Sequence, residues 1–111
     1  MLIPADDLRR LKAANDLVEV AREHGVALRR RGRTYFGLCP FHAERTASFG
    51  VSREAGLFHC FGCGAGGDVI RFVERVQRVS FRDAVQRLAT RAGIALANDT
   101  STTPTAARRA W

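Results

Sequence analysis

The sequence predicts an α+β fold, a small antiparallel sheet with flanking N-terminal and C-terminal helices. Three observations predict it. Apolar residues recur at helical spacing near both ends, from Leu8 to Ala21 and from Val69 to Ala92. Between them lie short β-branched and aromatic runs broken by glycine turns. All three cysteines fall in that middle part, in two short pairs completed by a histidine, Cys39-x-x-His42 and Cys60-x-x-Cys63.

Each element follows in order. Pro4 suits the first turn of a helix, with Asp6 and Asp7 near its positive end and Leu8 and Leu11 on the buried side. Asn15 or Asp16 interrupts it and caps a second short helix, in which Leu17, Val20 and Ala21 face inward and Gly25 is the stop. "VALRRRGRTYFGL" reads as a hairpin with an arginine-rich turn around Gly32. "ASFGVS" and "GLFHCF" are two further strands, joined at "REAG", and "GAGGD" reads as a turn. Beyond it, Val69, Ile70, Phe72, Val73 and Val76 fall at helical spacing. Ser80 and Asp83 form a capping-box arrangement for a last helix, whose apolar face is Phe81, Ala84, Val85, Leu88, Ala89 and Ala92 and whose stop is Gly93. Residues 98–111 lack periodicity, so the domain is expected at 1–97 with a linker or tail after it.

The paired cysteines carry the chemistry. Two residues between ligands let the chain turn tightly, so that both side chains converge on one ion. The pairs, separated by 17 intervening residues, match the zinc-ribbon pattern of ligand pairs on hairpin ends. Three thiolates and one imidazole, from Cys39, His42, Cys60 and Cys63, make a closed structural zinc site with no open position for substrate. Gly62 and Gly64 suit the second turn and Pro40 stiffens the first. His59 is the rival ligand, but it neighbours Cys60 on an expected strand, where successive side chains point to opposite faces.

Composition narrows the setting. The chain has 111 residues, room for one domain with a modest core, a size that commonly needs a staple. Three cysteines cannot all pair within one molecule, which argues against a disulfide framework and for a reducing cytoplasm. No long apolar run or cleavable leader is evident, so no membrane association is expected. The net charge is +7, and 17 of the 18 basic residues are arginine, the side chain suited to phosphate. Loading zinc on three thiolates leaves about +6. Arg29, Arg30, Arg31, Arg33, Arg45 and Arg53 cluster in the ribbon half, interleaved with Tyr35, Phe36, Phe49, Phe58 and Phe61. Arginines that track phosphates beside rings that stack on bases suit a single strand. Phe41, Phe49, Phe72 and Phe81 are assigned to the core.

"YFGLCPFHAERTASFGVS" followed by "LFHCFGCGAGGDVIRFV" resembles the N-terminal zinc-binding domain of bacterial-type DNA primases, over roughly residues 8–94. Ala47 departs from the family pattern, which usually has proline there. The resemblance implies a zinc ribbon that engages a single-stranded DNA template and helps select where an RNA primer begins. Arg30, Arg31, Arg33, Tyr35 and Arg45 are the expected DNA contacts. It also implies a primase catalytic domain as partner, in cis or in trans. The acidic residues here are scattered and include no Asp-x-Asp pair to hold magnesium, so the chain is not expected to make primers alone. A stand-alone phage or mobile-element protein, binding duplex DNA or another protein, is the alternative reading.

Overall fold

The computed structural model of the protein describes residues 3–41 and 47–95. The expected tail, and with it the domain boundary at residue 97, lies outside them. Helix α1 (Ala5–Ala14) begins after Pro4, with Asp6 and Asp7 in its first turn. Asn15 closes it and is buried at 1% exposure. A buried amide must be hydrogen-bonded. That of Asn15 donates to the Leu11 carbonyl at 2.8 Å and the Leu88 carbonyl at 3.1 Å, while its oxygen accepts from Arg91 at 3.1 Å. One side chain thus joins the first helix to the last. Asp16 accepts from the Glu19 N–H at 3.2 Å and caps α2 (Leu17–Glu23), which ends before Gly25 at φ +87°. Val18 is buried as well as the three expected positions of this helix.

The chain then runs as an antiparallel meander, β1 (Arg29–Arg31), β2 (Thr34–Gly37), β3 (Phe49–Ser52), β4 (Leu57–Cys60) and β5 (Gly66–Gly67), paired in that order. The fifth strand lies where the sequence reads as a turn. Two glycines carry no strand propensity, yet they pair with His59 and Phe58.

Directly opposed residues share a face, so the register sorts the sheet. One face carries the row Arg30, Tyr35, Val51, Phe58, Gly67 and the row Gly37, Phe49, Cys60. The other carries Arg29, Phe36, Gly50, His59, Gly66, and beside it Arg31, Thr34, Ser52, Leu57. The first face turns to the core, with Phe49, Val51 and Phe58 buried. Gly37 belongs there because a Cβ would lie 2.4 Å from the Ala27 carbonyl oxygen.

Helix α3 (Val69–Gln77), capped by Asp68, buries Val69, Ile70, Phe72 and Val73 and packs against β4 and β5. Helix α4 (Phe81–Ala92) packs against α3 and α1. Its Ser80 cap accepts from the Asp83 N–H at 3.1 Å, and Gly93 at φ +70° ends it. Phe49, Phe58, Phe72 and the half-buried Phe41 form one ring cluster, with centroids 5.5–6.2 Å apart. Phe81 departs from the expectation that it is core. It stands at the first position of α4, one turn ahead of the buried stripe of Ala84, Val85, Leu88 and Ala89, and is 43% exposed.

Replacing Asn15 with alanine removes the donor to the buried Leu11 and Leu88 carbonyls and one acceptor of Arg91, which keeps only Glu23. Asn15→Ala is expected to lower the unfolding free energy by about 1–3 kcal/mol. Denaturant unfolding of the metal-loaded protein measures it, with Arg82→Ala on the exposed side of α4 as the small-effect comparison.

Candidate metal centre and the two faces of the sheet

The sulfurs converge because strand ends bring them together. Cys39 follows the end of β2 by two residues, and Cys60 ends β4. Just beyond Cys60 the chain doubles back. The Gly64 N–H donates to the Cys60 carbonyl at 2.8 Å, and the Cys60 N–H donates to the Ala65 carbonyl at 2.8 Å. This knuckle returns Cys63 to the cluster, with Gly64 at φ +81°. The sulfurs of Cys39, Cys60 and Cys63 all lie within 4.8 Å of one another, and those of Cys39 and Cys63 are 3.9 Å apart. Two thiolates held tetrahedrally on zinc, each bonded at about 2.3 Å, sit about 3.8 Å apart. The cluster therefore fits a structural zinc. Cys39 and Cys60 are buried and Cys63 is exposed.

The polar surroundings of the sulfurs differ. Burial pushes the Cys39 thiol up to about 12, against the single Phe41 N–H that donates to it at 3.4 Å. Burial also raises Cys60, but the backbone N–H groups of Cys63 and Gly62, together with the thiols of Cys39 and Cys63, more than offset this and bring it down to about 7. Donors aimed at a sulfur favour its thiolate form. The second knuckle is thus built for a thiolate, and the cation supplies the charge that lets its neighbours ionise as well. Phe41 secures the first knuckle. Its ring belongs to the buried cluster, and the Arg75 guanidinium lies 4.9 Å from its centre.

The fourth expected ligand, His42, lies outside the described residues, as does Arg45. His59 is on the opposite face from Cys60, its ring edge-on to Phe61 at 4.6 Å, and it is not in the sulfur cluster.

The other expected DNA contacts are divided between the two faces. Arg31 lies on the open face and Arg33 in the exposed turn of the first hairpin. Arg30 and Tyr35 share the helix-side face. The Arg30 Nε donates to the Gly32 carbonyl at 3.0 Å. The Tyr35 ring is flanked by Arg53 at 5.0 Å and Arg22 at 5.7 Å, and its hydroxyl accepts from Arg53 at 3.0 Å. Arg53 in turn pairs with Asp16 at 2.9 Å and Glu19 at 3.1 Å, which fastens the β3–β4 turn to α2. The open face holds Phe36, His59 and Phe61 around a groove of about 570 Å³, with Phe61 71% exposed. Parity was the signal for this face, because Phe36 and Arg29 fall on the alternate set from Tyr35 and Arg30.

Metal content tests the centre. Cys60→Ser and Cys63→Ser are each expected to lose zinc and most folded structure, because a structural zinc supplies roughly 10–16 kcal/mol in small peptides. His59→Ala is expected to keep the metal. Elemental analysis and circular dichroism check both, and unchanged zinc in Cys63→Ser would refute the assignment.

Known proteins share these features. A model of the CHC2 zinc finger family matches residues 3–104. The DNA primase of Geobacillus stearothermophilus is 48% identical over 94 residues, 85% of this chain and 16% of the relative. That of Thermotoga maritima is 47% identical over 95 residues, 86% of this chain and 17% of the relative. The crystal structure of Aquifex aeolicus primase, comprising zinc-binding and RNA polymerase domains, aligns with a TM-score of 0.73 and 41% identity, covering 78% of this chain and 21% of that one. This chain thus spans about a sixth of the length of the two curated relatives. Among the described residues, no helix is long and apolar enough to cross a membrane. With its meander sheet, flanking helices and three-sulfur cluster, the chain belongs to the CHC2 zinc finger family, the zinc-binding domain of DNA primases.

Proposed function

We propose that this chain is the template-binding module of a primase. Zinc, held by Cys39, Cys60 and Cys63 with His42 as the fourth ligand, shapes the sheet. The sheet holds single-stranded DNA and so helps select the start of an RNA primer. A primase catalytic domain, in cis or in trans, performs the polymerisation. The observation that carries this reading is the bare sheet face edged by arginines. Arg29, Arg31 and Arg33 are exposed and have no acidic partner among the described residues, whereas Arg22, Arg53 and Arg91 are paired. A basic surface without internal partners suits a polyanion. The relatives' names and the Aquifex structure's two domains support the primase context. Arg31 and Arg33 are the phosphate contacts in this reading, and Arg45 joins them on its sequence position. Tyr35, half-buried between Arg22 and Arg53, serves packing on the helix side instead, whereas Arg30, exposed on that side and likewise without an acidic partner among the described residues, joins the phosphate contacts in this reading.

A gel shift with the zinc-loaded chain is expected to retard a single-stranded oligonucleotide in preference to the duplex of the same sequence. Preference for duplex would favour a regulator, and binding to neither a protein-interaction module. Incubated alone with template, ribonucleotides and magnesium, the chain is expected to yield no labelled primer. Template-dependent synthesis by the purified chain would overturn the division of labour between module and catalytic domain.

A further inference from the structure

Phe41 joins the metal centre to the core. It lies between Cys39 and His42 in the sequence, and its N–H donates to the Cys39 Sγ at 3.4 Å. Its ring meets Phe49, Phe58 and Phe72, with centroids 5.7–6.0 Å away. Those three rings are buried, whereas Phe41 is only half-buried, so the core does not enclose it. Arg75, exposed on α3, lays its guanidinium over the Phe41 ring, 4.9 Å from the centre. Its neighbour Glu74 lies 4.0 Å from Arg71, and Arg75 has no carboxylate partner among the described residues. The second knuckle is fastened within itself, by the backbone bonds that join Cys60 to Gly64 and Ala65. The first is fastened to the helix layer by a side chain, and Arg75 covers that side chain.

We infer that Arg75 is a positioning residue of the zinc centre, which acts through Phe41 on Cys39 and slows loss of the metal. The inference rests on the zinc assignment and is independent of what the sheet binds. A cation over a ring is attracted by the ring's negative face, and the flat guanidinium covers that face as it does so. The ring and the N–H that meets Cys39 belong to one residue, so a ring held in place holds the donor against the sulfur. Groups bonded directly to a metal ligand orient it, and their loss costs roughly 10–100-fold in metal affinity. Arg75 stands one contact further out, and a cation–π contact at an exposed site is weak. The expected effect is therefore smaller than that of a direct partner. A rival route exists, because three thiolates and an imidazole on a divalent ion leave the loaded centre net negative, and any nearby cation could steady it through space. The two routes differ in whether the Phe41 ring is needed.

The experiment follows zinc release from the loaded full chain to an excess of a chromogenic chelator. Arg75→Ala is expected to speed release about fivefold, the scale of one partly exposed cation–π contact. Arg75→Lys keeps a cation and is expected to restore most of the wild-type rate. Arg75→Met covers the ring without charge and is expected to release zinc as fast as Arg75→Ala. Arg71→Ala, one turn earlier on α3, removes the same charge and is expected to leave the rate unchanged. Phe41→Leu is expected to speed release and to abolish any further effect of Arg75→Ala, the mark of two residues acting as one unit. With cobalt in place of zinc, the thiolate-to-cobalt absorption is expected to shift in Arg75→Ala and not in Arg71→Ala. A wild-type chain that takes up no zinc would overturn the centre itself. Arg75→Ala or Arg75→Met equal to wild type, or Arg71→Ala equal to Arg75→Ala, would refute the role of Arg75 and leave the centre standing. So would faster release with an unchanged cobalt spectrum, which would mean that Arg75 only stabilises the fold. Where Phe41→Leu does not fold, the Arg75 and Arg71 variants decide on their own.

Discussion

The convergence of Cys39, Cys60 and Cys63 is the constraint on which the sheet depends. Its outer strands are three and two residues long, and only one face is covered by helices. Strands this short, in a sheet packed on one side, bury little apolar surface of their own. The sulfur cluster ties the ends of β2 and β4 together where the hydrogen-bond ladder stops. It also sets the position of the knuckle that delivers β5 to its pairing partner. A metal at that point closes the long connection between β2 and β3 and stabilises the turn after β4. A chain of this size gains more from such a staple than from a few more buried methyl groups.

The ring cluster couples the staple to the rest. Phe41 is two residues from Cys39, Phe49 opposes Cys60 across the ladder, and Phe58 is two residues before Cys60 on the same face. All three meet Phe72 of α3. The face that holds the metal is therefore the face that holds the core, and both lie under the helices. Asn15 and the Arg53 contacts perform the same joining function at polar sites, α1 to α4 and the β3–β4 turn to α2.

Much of this was legible in the sequence, and the reasons are local. Ligand spacing named the three sulfurs, glycines at positive φ marked the hairpin turns, and the switch to helical period located α3. The faces of the sheet were harder. Tyr35 and Phe36 are adjacent aromatic residues, so composition alone gives no preference for which ring enters the core. The decision comes from register, through Val51 opposite Tyr35 and Gly50 opposite Phe36, which is a tertiary fact. Strand β5 was hidden because Gly66 and Gly67 have no side chain to announce it. Asn15 reads as a cap in any sequence, and its role as a bridge to Leu88 needs the fold, since those residues are 73 apart.

Residue parity also explains how a structural metal can matter to an outward surface it never touches. Cys60 points to the core, and its neighbours His59 and Phe61 stand with the outer groove. Any displacement of Cys60 along or about the strand carries His59 and Phe61 with it. Charge cannot supply this link. Zinc on three thiolates makes the chain slightly less positive, at about +6 against +7 for the neutral thiols. On electrostatics alone the metal-free chain would hold a polyanion at least as well. If DNA binding is lost with the metal, the cause is positional: the ion fixes the strand that presents the rings, and the arginines act only once that surface exists.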